Sequence, residues 1–316
     1  MVAVALALFS AAAYGLSDFL GGVLSRKGSA WPVAVAGQAS AAVCTALVAA
    51  FVPGDPQSRD FAWALLAGAG TAVGSGFLYR GLASGRMGVV APISAVGAAL
   101  VPVLVGLAIG ERFSVVVAVG VAAALPGIWL ASTVSAAPPD ATDLAGGRDL
   151  IPAATVPGRR RTTTAVAVSH GPTARRGGLR LSGTLADGVA AGLGFGILFV
   201  ALGQVPRSAG LWPLAACQAT SVPVLVAVAV TLNTGWRPTD RASRLALLTG
   251  PLGTLATGAF LLATQHGYLS ITGVLVSLYP AGTVLLATAV LKERIHAVQA
   301  VGLGLCAIAV ACVAAG

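Results

Sequence analysis

Long apolar stretches, separated by short polar segments, run along almost the whole chain. Ten such stretches can be drawn, each of about 19 to 25 residues, which is enough for a helix to cross a hydrocarbon layer of roughly 30 Å. The pattern predicts an all-α integral membrane protein with ten transmembrane helices. We expect the spans near Ala3–Leu24, Trp31–Val52, Phe61–Ala83, Met87–Gly110, Phe113–Thr133, Thr184–Val205, Leu211–Leu232, Leu245–Leu269, Thr272–Leu291 and Ala297–Ala315.

One polar segment, from Ser135 to Ser182, is much longer than the others. It is rich in Pro, Gly, Thr, Arg and Asp and has no sustained apolar period, which predicts a flexible linker. The linker at residues 135–182 separates two units, residues 1–134 and 183–316, with five predicted helices each. The first stretch lacks the basic start of a signal peptide and pairs with the sixth, so we expect it to remain in the protein.

The two units match each other at an offset of about 182 residues. Residue types that are scarce in this chain recur at equivalent places. These are Glu111-Arg112 with Glu293-Arg294, Trp31-Pro32 with Trp212-Pro213, and Gln38 with Gln218. Because five helices are an odd number, the second unit must enter the membrane the opposite way up. Inverted repeats of this kind are typical of transporters that work by alternating access.

Composition narrows the class of function further. Apolar residues make up 57% of the chain and charged residues 9%, against roughly 25% charged residues in soluble domains. This leaves no room for a soluble catalytic domain. The net charge of +9 is spread between the spans, which favours an anionic lipid surface over nucleic acid. The four cysteines have no metal-binding spacing and no nucleotide-binding loop occurs, so we expect no metal and no cofactor.

The sequence resembles a known family. Each unit opens with a Gly-rich helix and places an acidic residue after its fourth helix, in Gly110-Glu111-Arg112 and Lys292-Glu293-Arg294. The run Tyr14-Gly15-Leu16-Ser17-Asp18-Phe19 is similar to the opening helix of the EamA branch of the drug/metabolite transporter superfamily. The resemblance covers both units and excludes the linker. It implies two EamA-like repeats, a small-molecule solute, and a multi-pass protein of a bacterial plasma membrane, as monomer or homodimer.

The family resemblance and the distribution of basic residues predict opposite orientations in the membrane. Members of the family usually keep both termini in the cytoplasm, whereas basic loops, which favour the cytoplasmic side, put both termini outside. With the termini outside, the cytoplasmic loops hold Arg26, Lys27, Arg80, Arg86, the linker arginines, Arg237, Arg241, Arg244, Lys292 and Arg294, and the other side keeps Arg59, Arg112 and Arg207. Ten spans require both termini on one side in either case.

Asp18 is the acidic residue that lies well inside a predicted span. Tyr14 shares its helix face, four residues earlier. An ionisable group at membrane depth is costly unless it faces a cavity or a partner, so Asp18 is a candidate for proton coupling. The structural alternatives are an ion pair with Arg80 or an interfacial position near Arg26. The sixth helix offers no matching acid, because Asp187 lies near its end, where we expect an interfacial position.

Polar side chains on other helices are candidates for the substrate pathway. Gln38 and Gln218 occupy equivalent positions in the two units, where an inverted fold places its substrate site. Further candidates are Thr71, Ser75 and Tyr79 in the third span, Thr257 and Gln265 in the eighth, and Tyr279 in the ninth. The alternatives are hydrogen bonds between helices for the glutamines and hydroxyl bonds to their own backbone for the others. For Glu111 and Glu293, interfacial anchoring and loop ion pairs explain the position better than proton coupling.

Together these features predict a non-enzymatic secondary active transporter, most simply a proton-coupled exporter of a small organic solute such as a metabolite, an amino acid or a drug. A uniporter or exchanger is the alternative within the same class. Two other classes are a membrane-embedded enzyme and a non-transporting scaffold. An enzyme would need a nucleophile–base pair at membrane depth, which the sequence does not offer. A scaffold would not explain the inverted repeats.

Overall fold

The computed structural model describes residues 1–84, 87–112, 114–132, 176–281 and 297–315, and all regular secondary structure in these ranges is helical. The first half contains α1 (Val2–Lys27), α2 (Ala30–Ala49), α3 (Ser58–Ala83), α4 (Met87–Ala108) and α5 (Val115–Ser132). The second half contains α6 (Arg176–Gly203), α7 (Trp212–Thr231), α8 (Arg241–Leu245), α9 (Thr249–Thr264), α10 (Leu269–Val276) and α11 (Ala297–Ala315). A single 3-10 turn, Ala246–Leu248, joins α8 to α9.

The helices follow the predicted apolar stretches, with differences at their ends. Helix α6 begins at Arg176, inside the segment predicted as linker, because lengthening an existing helix needs no new nucleus. Helix α10 stops at Val276, and a turn precedes Tyr279-Pro280, whose proline ring cannot continue the regular backbone bonding. The rest of the ninth predicted span and the linker up to residue 175 lie outside the described residues.

The helices have the length and surface of membrane spans. Within the described ranges, six are long and apolar enough to cross a membrane, and four further apolar helices are shorter. Large apolar side chains such as Val43, Leu47 and Leu104 stand exposed on the outside of the bundle. Contact with lipid accounts for this exposure, which water would penalise. The chain is therefore a multi-pass membrane protein.

Side chains satisfy the backbone groups at several helix ends. At the start of α3, Gln57 and Asp60 form a reciprocal capping box, in which the Gln57 amide donates to the Asp60 carboxylate at 2.9 Å. Asp240 accepts a hydrogen bond from the Ser243 amide at 2.9 Å and caps α8. Pro213 lies in the first turn of α7, where its missing N–H costs nothing.

Helices from the two halves interleave through close backbone contacts. Helix α3 packs against α6 and α7, α1 packs against α9, and α2 packs against α7 and α9. Glycine permits the closest crossing, since a Cβ at Gly194 of α6 would meet backbone atoms of Gly70, at 2.8 Å, and of Gly74. Small residues at such crossings let membrane helices approach closely. The interleaving leaves a cavity between the halves.

Candidate functional site

The cavity lies between α1, α2, α3, α6, α7 and α9. Its lining contains side chains from both halves of the chain. Eight of the ten predicted site residues are among them: Tyr14, Asp18, Gln38, Thr71, Ser75, Tyr79, Gln218 and Thr257. The structure thus brings together residues that are up to about 240 positions apart in sequence.

Asp18 is the acidic side chain of this lining. The ion pairs among described residues join Arg59 to Asp60 and Arg80 to Asp187, so Asp18 pairs with no described cation. The hydroxyl groups of Tyr14, Tyr79 and Tyr279 lie close enough to interact with it electrostatically. A carboxylate placed this way depends on the cavity, on nearby hydroxyls or on a proton for its stability.

Arg80 has a different partner from the one considered in the sequence. Its Nε donates to a carboxylate oxygen of Asp187 at 3.0 Å, and its guanidinium lies 4.6 Å from the centre of the Phe77 ring. Asp187 is buried in α6, because α3 packs along α6 and brings Arg80 against it. The ion pair between Asp18 and Arg80 is therefore not formed.

The two glutamines take part in hydrogen bonds around the cavity. Gln218 Nε2 donates to Thr257 Oγ1 at 3.2 Å, and Thr257 donates its own proton to the Gly253 carbonyl at 2.7 Å. Because the Thr257 proton is already used, Gln218 must present its NH2 group to it, which leaves Gln218 Oε1 buried without a partner among the described residues. Ser221 Oγ donates to the Gln218 carbonyl at 2.7 Å and lies 3.3 Å from Gln38 Oε1, so Gln38 of α2 contacts α7.

The hydroxyl groups of the lining donate mostly to backbone carbonyls. Thr71 donates to Ala67, Ser75 to Thr71 and Thr249 to Ala246, at 2.7 to 2.9 Å. This is the backbone bonding considered as an alternative in the sequence, and it coexists with a position on the cavity wall. With their protons used in this way, the hydroxyl oxygens offer lone pairs to the cavity.

The Tyr14 hydroxyl is buried and has no hydrogen-bond partner in the described part of the chain. Its ring packs against Phe199 at a centroid distance of 6.0 Å and against Tyr279 at 6.4 Å. A buried phenol normally finds a partner. The Tyr14 hydroxyl and the Gln218 side-chain oxygen are thus two polar groups at the cavity without a hydrogen-bond partner among the described residues.

Two of the ten candidates do not line the cavity. Gln265 follows the last turn of α9 and is partly exposed there. Tyr279 lies behind Tyr14, and its hydroxyl is 3.1 Å from Ser94 Oγ. The cavity also contains residues that the sequence analysis did not select, among them Ser17, Thr249 and Phe195. Ser17 adjoins Asp18 in sequence, which was an available signal, whereas nothing in the pattern distinguished Phe195 from other apolar positions.

Glu111 caps a helix of the other half. Its carboxylate accepts hydrogen bonds from the Leu269 amide at 2.7 Å, the Ser270 amide at 3.1 Å and the Ser270 hydroxyl at 2.5 Å. These groups form the N-terminus of α10, which has no side-chain cap of its own. Glu111 thus caps α10 instead of forming the expected loop ion pair with a described residue. Glu293 lies outside the described residues.

Comparisons with known proteins agree with this architecture. The model of the EamA-like transporter family matches residues 185–315. A solved structure, titled only as the crystal structure of a protein, shares the fold with a TM-score of 0.61 and 16% identity over 98% of each chain. No curated protein matches the chain in sequence. The match of residues 185–315 to the EamA-like transporter family confirms the resemblance found in the sequence for the second half of the chain.

Proposed function

We propose that this protein is a secondary active transporter that couples export of a small organic solute to proton movement. The observation that carries the proposal is the position of Asp18, a carboxylate without a described counter-cation on the wall of a cavity between the two halves. Such a group can hold a proton, and polar groups beside it can hold a solute. Residues assigned to proton coupling and to the substrate pathway thereby share one space.

We further propose that residues 1–134 and 183–316 form two inverted five-helix repeats, joined by residues 135–182, with ten spans in all. Reciprocal packing supports this arrangement. Helix α3 packs on α6 as α1 packs on α9, and α3 packs on α7 as α2 packs on α9. Helices α2 and α7 contact each other, as do α5 and α11. When the two halves are exchanged, the contact of α3 with α6 becomes that of α9 with α1, and the contact of α3 with α7 becomes that of α9 with α2. The contacts of α2 with α7 and of α5 with α11 stay the same.

Alternating access then follows from movement of one half against the other. The cavity wall comes from both halves, so a relative rotation of the halves changes the side on which the cavity opens. Asp18 would bind a proton from one side and release it to the other, and solute occupancy would bias which side is open. Coupling requires that solute and proton favour different states of the same site.

The test is the variant Asp18→Asn, which keeps size and hydrogen bonding and removes titration. A screen of metabolites and toxic analogues in cells that overproduce the protein identifies a solute, and purified protein in liposomes reports solute-dependent proton flux with an internal pH dye. We expect Asp18→Asn to abolish proton-driven transport while expression and folding stay normal. Asp55→Asn, the same substitution at an exposed loop residue, is the matched control and should behave as wild type.

Each other outcome assigns a different function. Uphill transport with wild-type pH dependence in Asp18→Asn would refute the coupling role of Asp18. Solute transport by the wild-type protein without any proton flux would leave uniport or solute exchange. No flux with any solute in the wild-type protein, together with turnover of a lipid, would identify an enzyme. No flux and no turnover would leave a scaffold.

A further inference from the structure

The two ends of the helix bundle differ in charge. At one end, which we call the basic end, α1, α3 and α7 finish and α2, α6 and α8 begin. The contact of α1 with α8 and the ion pair of Arg80 with Asp187 join the elements of this end. Among the described side chains, its cations are Arg26, Lys27, Arg80, Arg237, Arg241 and Arg244, and its acids outside the cavity are Asp187 and Asp240.

The opposite end of the bundle has balanced side-chain charges. It is the end where α2, α4 and α6 finish and α3, α7 and α10 begin, and Glu111 reaches across it to cap α10. With histidine counted as neutral, its described charged side chains are Arg59, Arg112 and Arg207 against Asp55, Asp60 and Glu111. The excess of positive charge in the described part of the chain therefore belongs to the basic end.

Most of this excess is exposed where α1 meets α8. The α1–α8 patch, as we call it, consists of Lys27 at the end of α1 and of Arg237, Arg241 and Arg244 before and within α8, all of them exposed. Asp240 is the acid beside them, and it accepts a hydrogen bond from the Ser243 amide and interacts electrostatically with Arg244. One carboxylate leaves positive charge in excess, so the patch attracts anions.

The patch takes its cations from both halves of the chain. A Cβ on Gly28 would lie 2.9 Å from the Cβ of Ala242, so the end of α1 touches α8. Because consecutive Cα atoms are 3.8 Å apart, the Cα atoms of Lys27 and Arg241 lie within roughly 14 Å of each other. The long, flexible side chains of both residues can reach one anion across this gap. Such an anion would join the two halves at the basic end.

Apolar and aromatic side chains beside the patch indicate the kind of anion. Trp236 is partly exposed, and the Arg237 guanidinium lies 5.6 Å from the centre of its ring. Leu245, Leu247 and Leu248 are exposed immediately after the arginines of α8. Tryptophan and basic residues together are typical of the interface between lipid headgroups and acyl chains. A soluble anion would leave the leucines uncovered, whereas a phospholipid covers them with its acyl chains.

We propose that the α1–α8 patch binds the headgroup of an anionic phospholipid, which bridges Lys27 of the first half and Arg241 of the second. The lipid phosphate supplies the negative charge, and the acyl chains lie along Leu245 and Leu248. Each cation beside an anionic lipid contributes about fivefold in affinity. The site is separate from the cavity, so its test needs no transported solute.

Lipid binding to the purified full-length protein in dodecyl maltoside, measured by native mass spectrometry, tests the proposal. The probes are palmitoyl-oleoyl phosphatidylglycerol and the phosphatidylcholine with the same acyl chains. We expect phosphatidylglycerol to bind at least tenfold more tightly than phosphatidylcholine. Lys27→Gln and Arg241→Gln should each weaken the binding of phosphatidylglycerol about fivefold. Arg59→Gln and Arg112→Gln remove exposed arginines of the opposite end and should bind this lipid like wild type.

Thermal unfolding of the same samples distinguishes a lipid from a soluble anion. Phosphatidylglycerol should raise the unfolding midpoint of the wild type, because it binds the folded bundle, and inorganic phosphate or glycerol phosphate at the same concentration should not. The rise should be smaller in Lys27→Gln and in Arg241→Gln and unchanged in Arg59→Gln. Equal binding of the two lipids, an equal effect of Arg59→Gln, or the same stabilisation by phosphate would overturn the proposal. An effect confined to one of Lys27→Gln and Arg241→Gln would overturn the bridge between the halves.

Discussion

Replacing Glu111 by alanine should destabilise the protein by about 2 to 4 kcal/mol, because it removes the cap of a helix from the other half of the chain. Three hydrogen bonds reach the Glu111 carboxylate from Leu269 and Ser270. Each bond to a charged group contributes roughly 1.5 to 3 kcal/mol, but Glu111 is partly exposed and water will replace part of the loss. The favourable position of a negative charge at a helix N-terminus accounts for about 0.3 to 1 kcal/mol of the total.

Asp240 offers a matched acidic cap within the same chain. It is exposed and accepts from one backbone amide, that of Ser243, so Asp240→Ala should cost about 1 kcal/mol. Hydrogen bonding by the Ser243 side chain and amide lowers the pKa of Asp240 below its usual 3.8. A lowered folded-state pKa means that this contribution is fully present at pH 7 and is lost as the pH falls through the lowered value.

Thermal unfolding in detergent at pH 7, followed with a thiol-reactive dye, measures both variants. The buried Cys217 and Cys306 become reactive when the bundle opens. We expect Glu111→Ala to lower the midpoint at least twice as far as Asp240→Ala. The double variant with Ser270→Ala should be less destabilised than the sum of its single variants, since both remove the same bond. Equal shifts for the two caps, or full additivity with Ser270→Ala, would refute the capping role of Glu111.

Three further predictions concern the bundle, the linker and the topology. Gly194→Ala should give no folded protein by size-exclusion chromatography, because the new Cβ would meet the backbone of α3. Gly253→Ala is the control and should fold, because its Cβ would meet Ala41 at 4.0 Å. Equal yields of the two variants would show that the crossing of α6 and α3 can relax. Replacing residues 135–175 by a short Gly/Ser tether should preserve insertion and transport, and loss of both would give the linker a structural role. Cysteines introduced at the two termini, after replacement of the native four, should react from the same face of the membrane; reaction from opposite faces would rule out an even number of spans.

The sequence carried much of the information about the cavity because its polar residues recur at helical spacing. Tyr14 and Asp18 lie four residues apart, as do Thr71, Ser75 and Tyr79, so each group had to share one helix face. The match between Gln38 and Gln218 pointed to equivalent places in the two halves. Which residues share a face of one helix does not depend on the neighbouring helices, so helical periodicity was sufficient to select these candidates.

What the sequence left open depends on contacts between helices. The pairing of Arg80 with Asp187 follows from the packing of α3 along α6, which no local pattern reveals. Thr249 faces the cavity because α9 lies against α1 and α2. Gln265 fell outside because α9 ends at Thr264, and helix ends are the least regular part of a periodic pattern.

The division of chemistry between the halves bears on how many protons one cycle can move. The first half contributes Asp18 and Tyr14 to the cavity, and the second contributes Gln218 and Thr257. At the offsets of 180 to 182 residues that align the proposed repeats, Asp18 falls on Leu198, Phe199 or Val200, none of which is acidic. The described lining of the cavity therefore has one carboxylate rather than two, while each half contributes a glutamine. Under the proposed function, the transporter would bind its solute with both halves and its proton with one, which limits each cycle to a single proton at this site.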